Sequence, residues 1–192
     1  MKTQGPGGTR TKILDVAREL FATHGYAGTS ISDIVGRLGT TKGSLYYHFP
    51  SKDAILDAIV AEPADALTAI IEAAEATPPP PAAQTLGALI DLQGRYPAAY
   101  LAFYAGEGPL LQKYSKRHNL EDRTERIIAA LARPDPPTTG RLVRARAAVG
   151  AVKDGAVTAL RLHGGVIPPG IRDEILSAAL GALGDPKPFP LP

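Results

Sequence analysis

The chain has 192 residues, of which 44% are hydrophobic and 21% charged, and its net charge is +2; this excludes a disordered or fibrous chain and allows a substantial core. Cysteine is absent, which excludes a disulfide framework, a thiolate metal site and a cysteine nucleophile. No secretion-type opening and no apolar run near the roughly 18 residues that span a bilayer is found, so a cytoplasmic protein with no membrane partner is expected.

The charge is unevenly spread. Residues 1–52 carry seven basic side chains (Lys2, Arg10, Lys12, Arg18, Arg37, Lys42 and Lys52) against three acidic ones (Asp15, Glu19 and Asp33). The rest of the chain is therefore slightly acidic. A basic first quarter is a weak pointer to a polyanionic partner.

In chain order, the opening MKTQGPGGT is Gly-rich and is expected to be mobile. From Arg10 to His24, Ile13, Ala17, Leu20 and Phe21 recur at helical spacing, and Gly25 follows as a stop signal. Thr29 and Ser30 offer a cap, with Asp33 closing a short-armed capping box. Ile31, Ile34, Val35 and Leu38 then form one face of a second helix, which Gly39 ends. Thr40 or Thr41 caps a third, very short helix closed by Pro50. Ser51 caps a fourth, carrying Ile55, Leu56 and Ile59. Pro63 is expected to kink or interrupt that helix. TPPPP at 77–81 reads as a linker, and further helices are expected over 82–95, 97–105, 109–132, 139–163 and 169–183. The tail GDPKPFPLP reads as extended or disordered. The fold class is all-α: a three-helix head with a helix-turn-helix, then a helical body, about nine helices in total. The domains are set at 1–52 and 53–192.

The segment TKGSLYYHFPSKD at 41–53 carries the functional signal. Two short helices joined by a Gly-containing turn make a helix-turn-helix. On the third helix Leu45 and Phe49 share a face and point inward. Gly43 and Tyr47 then lie on the far side, flanked by Ser44, Tyr46 and His48. Those groups suit DNA. Phenols and imidazole meet sugar and phosphate, Lys42 brings charge and reaches guanine acceptors, and Gly43 admits close approach. Lys52 occupies a first helical turn, where the dipole disfavours a cation.

The stretch FATHGYAGTSISDIVGRLGTTKGSLYYHFPSKDAIL resembles the DNA-binding head of TetR-family transcriptional regulators. The matching residues are Leu20-Phe21, Gly25-Tyr26, Thr29-Ser30, Ile34, Lys42-Gly43, Leu45-Tyr46, His48-Phe49 and Ser51-Lys52-Asp53. They cover roughly residues 10–60. The chain departs from the pattern at Val35-Gly36, where alanine is common, and at Thr40-Thr41, where valine-serine is common. Gly36 should weaken its helix by roughly 1 kcal/mol relative to alanine. The resemblance implies that Lys42, Gly43 and Tyr46 face base edges. It implies that Thr29, Thr41, Tyr47, His48 and Lys52 hold phosphates, with Arg10 and Lys12 within reach of the backbone.

It also implies a homodimer built on the last two long helices. The small residues Ala145, Ala147, Ala148, Gly150, Ala151, Gly155, Ala156 and Ala159, and later Ala178, Ala179, Gly181 and Ala182, fit close helix approach there. Two heads would read a palindromic, double-stranded operator. Between head and dimer helices, Tyr96, Tyr100, Phe103 and Tyr104 form a stripe at helical spacing. Such a stripe is more often core than pocket. The candidate effector contacts are Tyr100, Phe103, Tyr104 and His163, for a small apolar or aromatic molecule. The expected function is a homodimeric repressor released from its operator by that effector. No cofactor is expected. His24, His48, His118 and His163 show no metal-ligand spacing and no nucleophile elbow occurs, so an enzyme is not expected. A head retired from DNA binding is the other alternative, and intact Lys42, Tyr46, Tyr47, His48 and Lys52 argue against it.

Overall fold

The computed structural model describes residues 6–105, 108–134 and 136–184, and among these the side chains of 6–7, 102–105 and 108–112 stand outside the description. The described residues form ten α-helices and no strand. They are α1 (Pro6–His24), α2 (Ile31–Leu38), α3 (Lys42–His48), α4 (Lys52–Glu75), α5 (Ala82–Arg95), α6 (Pro97–Ala105), α7 (Gly108–Arg117), α8 (Leu120–Leu131), α9 (Thr139–Leu162) and α10 (Pro169–Leu183).

Three differences from the sequence reading have local causes. α1 starts at Pro6 rather than Arg10, because proline is tolerated at a helix's first position. The expected helix over 109–132 is two, α7 and α8, parted at His118–Asn119. Asn119 adopts φ 49°, a left-handed conformation that asparagine accepts better than most residues. α4 runs unbroken through Pro63. The proline removes one backbone donor, but its side chain is buried.

The chain divides into two compact units, residues 1–65 with 96–119, and residues 66–95 with 120–192. In the first, α1, α2, α3 and the start of α4 enclose Ile13, Leu14, Ala17, Phe21, Ile34, Leu45, Phe49, Ile55 and Ile59. Every apolar position expected to face inward on these helices is buried or packed at the core's edge. α6 packs on α1, and Ala99 and Tyr114 join the same core from α6 and α7. Burying a side chain such as Leu45 contributes about 1.5–3 kcal/mol.

In the second unit α9 and α10 pack side by side, with α5 against both and α8 against α9. The core is Ile71, Leu86, Ile90, Ile127, Ala148, Val152, Ala156, Ala159, Ile175 and Ala179. Small residues let the backbones approach. A Cβ on Gly155 would stand 3.2 Å from Ile175 Cγ1 and 3.3 Å from its Cγ2. Arg133 donates to the carbonyls of Glu75 at 2.9 Å and Ala76 at 3.1 Å, satisfying the open C-terminus of α4.

Candidate nucleic-acid interface

The helix α3 is placed by two caps and a turn. Ser30 caps α2: its Oγ accepts from the Asp33 N–H at 3.1 Å, and its own N–H donates to Asp33 Oδ2 at 2.7 Å. That is the expected capping box, and the bond from the Ser30 amide holds the Asp33 carboxyl below its ordinary range. Gly39 ends α2 at φ 64°, a conformation in which a side chain would be strained. Thr41, not Thr40, caps α3, its Oγ1 accepting from the Ser44 N–H at 3.2 Å.

α3 has two sharply different faces. Leu45 and Phe49 are 0% and 3% exposed, whereas Tyr46 and Tyr47 are 48% and 82% exposed. Thr41, Lys42 and Gly43 are exposed as well, and His48 is half-buried. The Tyr47 and His48 rings meet edge-to-face, with centroids 5.1 Å apart. The Arg10 guanidinium lies 4.9 Å from the Phe49 ring centroid, so it packs on α3 from α1. A Cβ on Gly43 would meet nothing nearer than Thr41 Oγ1 at 3.8 Å. Internal packing therefore does not require glycine there, although glycine weakens a helix.

Two expected phosphate contacts are placed elsewhere. Thr29 is 2% exposed, and its hydroxyl donates toward the Gly25 carbonyl at 2.9 Å and the Leu20 carbonyl at 3.2 Å. Its side chain closes the end of α1 instead of facing out. Lys52 turns inward. Its ammonium donates to the carbonyls of Tyr26 and Thr29, each at 2.8 Å, and lies 4.1 Å over the Tyr26 ring. Desolvation lowers its pKa against the opposing pull of Asp53. These partners stand 23 and 26 residues back in the chain, which is why no local signal revealed them. Gly28 was also missed. A Cβ there would fall 2.3 Å from the His24 carbonyl oxygen, so only glycine fits this turn. Its place in the run GYAGTS was the one available hint.

Asp53 is a second unanticipated centre. Tyr26 Oη donates to its Oδ1 and Lys113 Nζ to its Oδ2. Tyr114 Oη donates to its backbone carbonyl at 2.9 Å. The bonds from Lys113 and Tyr26 hold the carboxyl below its ordinary range. Burial first, and then the Asp53 bond, raises the Tyr26 phenol. Burial, with repulsion from Asp53 and Asp57, pushes Tyr114 up to about 12.

The candidate effector residues are not gathered in one unit. Tyr100 on α6 is half-buried, and burial alone raises its phenol. Phe103 and Tyr104 follow on α6, but their side chains lie outside the description. His163 belongs to the other unit, where it ends α9 and is exposed. Among the described residues no three His, Cys, Asp or Glu side chains converge as metal ligands, and no helix is long and apolar enough to cross a membrane.

Residues 13–59 match the family described as bacterial regulatory proteins, tetR family. In this stretch, the head, the chain is similar to the TetR-type N-terminal region. Its head is 45% identical over 58 residues to the HTH-type transcriptional repressor KstR2 of Rhodococcus jostii, covering 30% of this chain and 28% of that one. It is 46% identical over 48 residues to IcaR of Staphylococcus aureus, the negative transcriptional regulator of the biofilm operon icaADBC, covering 25% and 26%. The chain thus aligns with under a third of the length of these curated relatives. Across the whole fold it resembles the probable transcriptional regulatory protein RHA5900, at TM-score 0.64 and 27% identity, over 92% of this chain and 100% of that one. A transcriptional regulator from Aquifex aeolicus, at TM-score 0.69 and 23% identity over 88% and 96%, shares the fold. The TetR-type head is therefore the best-matched part of the molecule.

Proposed function

We propose that this chain is a TetR-family DNA-binding transcriptional regulator, acting as a homodimeric repressor of a palindromic operator that a small apolar or aromatic effector releases. One observation carries the reading: α3 anchors Leu45 and Phe49 in the core while holding Tyr46 and Tyr47 out with Lys42 and Gly43. Tyr47 in particular, at 82% exposure, adds little to the head's own packing, so an outside partner explains the outward aromatic pair. Lys42, Gly43 and Tyr46 are assigned to base edges, and Thr41, Tyr47 and His48 to phosphates.

For the dimer, support comes from α9 and α10, where Leu142, Val143, Leu162, Val166 and Ile171 stay exposed in the single chain at and beside the helix ends. These side chains stand at or beside both ends of α9 and at the start of α10, where a second copy packed along the pair would cover them. The effector is assigned to α6 through Tyr100, Phe103 and Tyr104; exposed His163 gains no support from burial. A ligand that favours heads out of register with successive grooves lowers operator affinity by linkage.

The test is fluorescence anisotropy of the purified protein with labelled fragments from upstream of its own gene, a scrambled control, two salt concentrations and Tyr47→Ala. Selective, salt-sensitive binding lost in the variant supports the proposal. Selective binding that Tyr47→Ala leaves intact would move the contact face elsewhere. If even random-pool selection yields no preferred duplex, the regulator reading fails.

A further inference from the structure

Among the described residues of the first unit, a bonded polar cluster gathers at the first turn of α4, just after α3 ends. Phe49 ends α3, its N–H donating to the Leu45 carbonyl at 2.9 Å. Only Pro50 and Ser51 separate it from Lys52, the first residue of α4. The position of α4's first turn therefore sets the position of α3's last. The same turn is bonded in two directions. Lys52 holds the carbonyls of Tyr26 and Thr29 at 2.8 Å each, and Thr29 directly precedes Ser30, the cap of α2. Asp53 holds Tyr26 and, from α7, Lys113, while Tyr114 of α7 bonds the Asp53 carbonyl. One turn on, Asp57 accepts from Arg117 at 2.8 Å and faces His118 Nε2 at 3.0 Å.

We propose that Lys52 and Asp53 are positioning residues. Lys52 ties the entry of α2 to the exit of α3, and Asp53 braces that pair against α7, so the two helices of the motif keep the separation that one major groove demands. The inference rests on the regulator reading and refines it, since both side chains act through the helices they hold. Two further observations favour positioning over direct contact. The Lys52 ammonium already commits two of its three N–H donors to carbonyls of the head and lies over an aromatic face, so its position is fixed from within. Asp53 would repel a phosphate, yet it occupies the same turn.

The experiment uses the full chain and a duplex that the wild type selects from a random pool, with a scrambled duplex as control. Anisotropy titrations over a series of salt concentrations compare wild type with Lys52→Met, Asp53→Asn, Asp53→Glu, Lys113→Met and the Asp53→Asn/Lys113→Met double variant. All are run at a temperature where circular dichroism shows each variant folded. Lys52→Met and Asp53→Asn are expected to lose about tenfold in affinity for the selected duplex. Binding to the scrambled duplex and the slope of log affinity on log salt should not change. Asp53→Glu should recover part of the loss. The double variant should lose no more than Asp53→Asn alone, because both substitutions cut one brace. Should Asp53→Asn fail to fold, Lys113→Met carries the same test from α7. A salt slope shallower by about 0.9 in Lys52→Met would make Lys52 a phosphate contact and overturn the proposal. Unchanged selectivity in folded variants would also overturn it, leaving only a contribution to stability. A wild type that selects no duplex fails the regulator reading itself, whereas a selective wild type with indifferent variants fails this proposal alone.

Discussion

All seven tyrosines of the chain lie within residues 1–65 and 96–119, and the second unit has none. The first unit is built with side chains that have an apolar body and a polar tip. It packs Tyr114 in its core while bonding its hydroxyl to Asp53, and it holds Tyr47 outside altogether. The second unit replaces bulk with proximity: alanines on α9 and α10 and Gly155 under Ile175 bring helices together. Its charged pairs, such as Arg126–Glu75, Arg146–Glu125 and Arg172–Asp91, sit at the rim, largely in solvent. The contrast teaches that bonded polar groups organise the first unit, while close packing organises the second.

The comparison can be broken most severely at Leu45. Leu45→Ala removes the inner anchor of α3 and is expected to destabilise the first unit by about 2–5 kcal/mol. Tyrosine fluorescence, which reports only that unit, should show the loss in a denaturant titration. Gly155→Val is the counterpart in the second unit. It forces a side chain against Ile175 and is expected to cost about 1–3 kcal/mol, visible by far-ultraviolet dichroism before tyrosine fluorescence changes.

High pH sharpens the contrast. The Tyr114 phenol has a folded-state pKa of about 12 against roughly 10 in an unfolded chain. Its stabilising contribution is complete below about pH 10 and disappears as pH rises toward 12. Tyr26 and Tyr100 are shifted the same way by burial. Alkaline titration followed by tyrosinate absorbance should therefore show late-titrating phenols and loosening of the first unit. Low pH separates the units less, because Asp53 and Glu75 both have lowered pKa values. The contribution of each is present above about pH 4 and lost as pH falls through its folded value.

The smallest stability effects belong to the surface. Tyr47→Ala should change the unfolding free energy by no more than about 0.5 kcal/mol while lowering operator affinity at least about tenfold. A matching loss of stability would mean that Tyr47 packs the head after all. Arg146→Ala should leave the thermal midpoint unmoved, since its pair with Glu125 is solvent-exposed.

Much of the fold was legible because its signals are local. Ser30 and Asp33 are three residues apart, Leu45 and Phe49 four, and Gly39 announces its own backbone conformation. The boundaries of α2, α3, α5, α6 and α10 follow from such spacings. So does the outward face of α3, because one turn of helix fixes which side opposes Leu45. The break at Asn119 was not legible, because asparagine is also tolerated inside helices. Nor was continuity through Pro63, where burial outweighs a lost hydrogen bond.

The sequence by itself determined the helical class, the head's caps and turn, and which side of the third helix meets the core. Each depends on contacts within about four residues, where backbone geometry leaves few choices. Only the tertiary structure decided which groups Thr29, Lys52 and Asp53 bond. Thr29 reads as a phosphate ligand until the end of α1 closes over its hydroxyl. Lys52 reads as a misplaced surface charge until two carbonyls from the turn between α1 and α2 meet its ammonium. Asp53 reads as an ordinary first-turn acid until Lys113, 60 residues away, comes to its side. A long polar side chain is equally able to face water, a partner or its own backbone. Which it meets depends on where the chain returns, and no spacing along the sequence encodes that return.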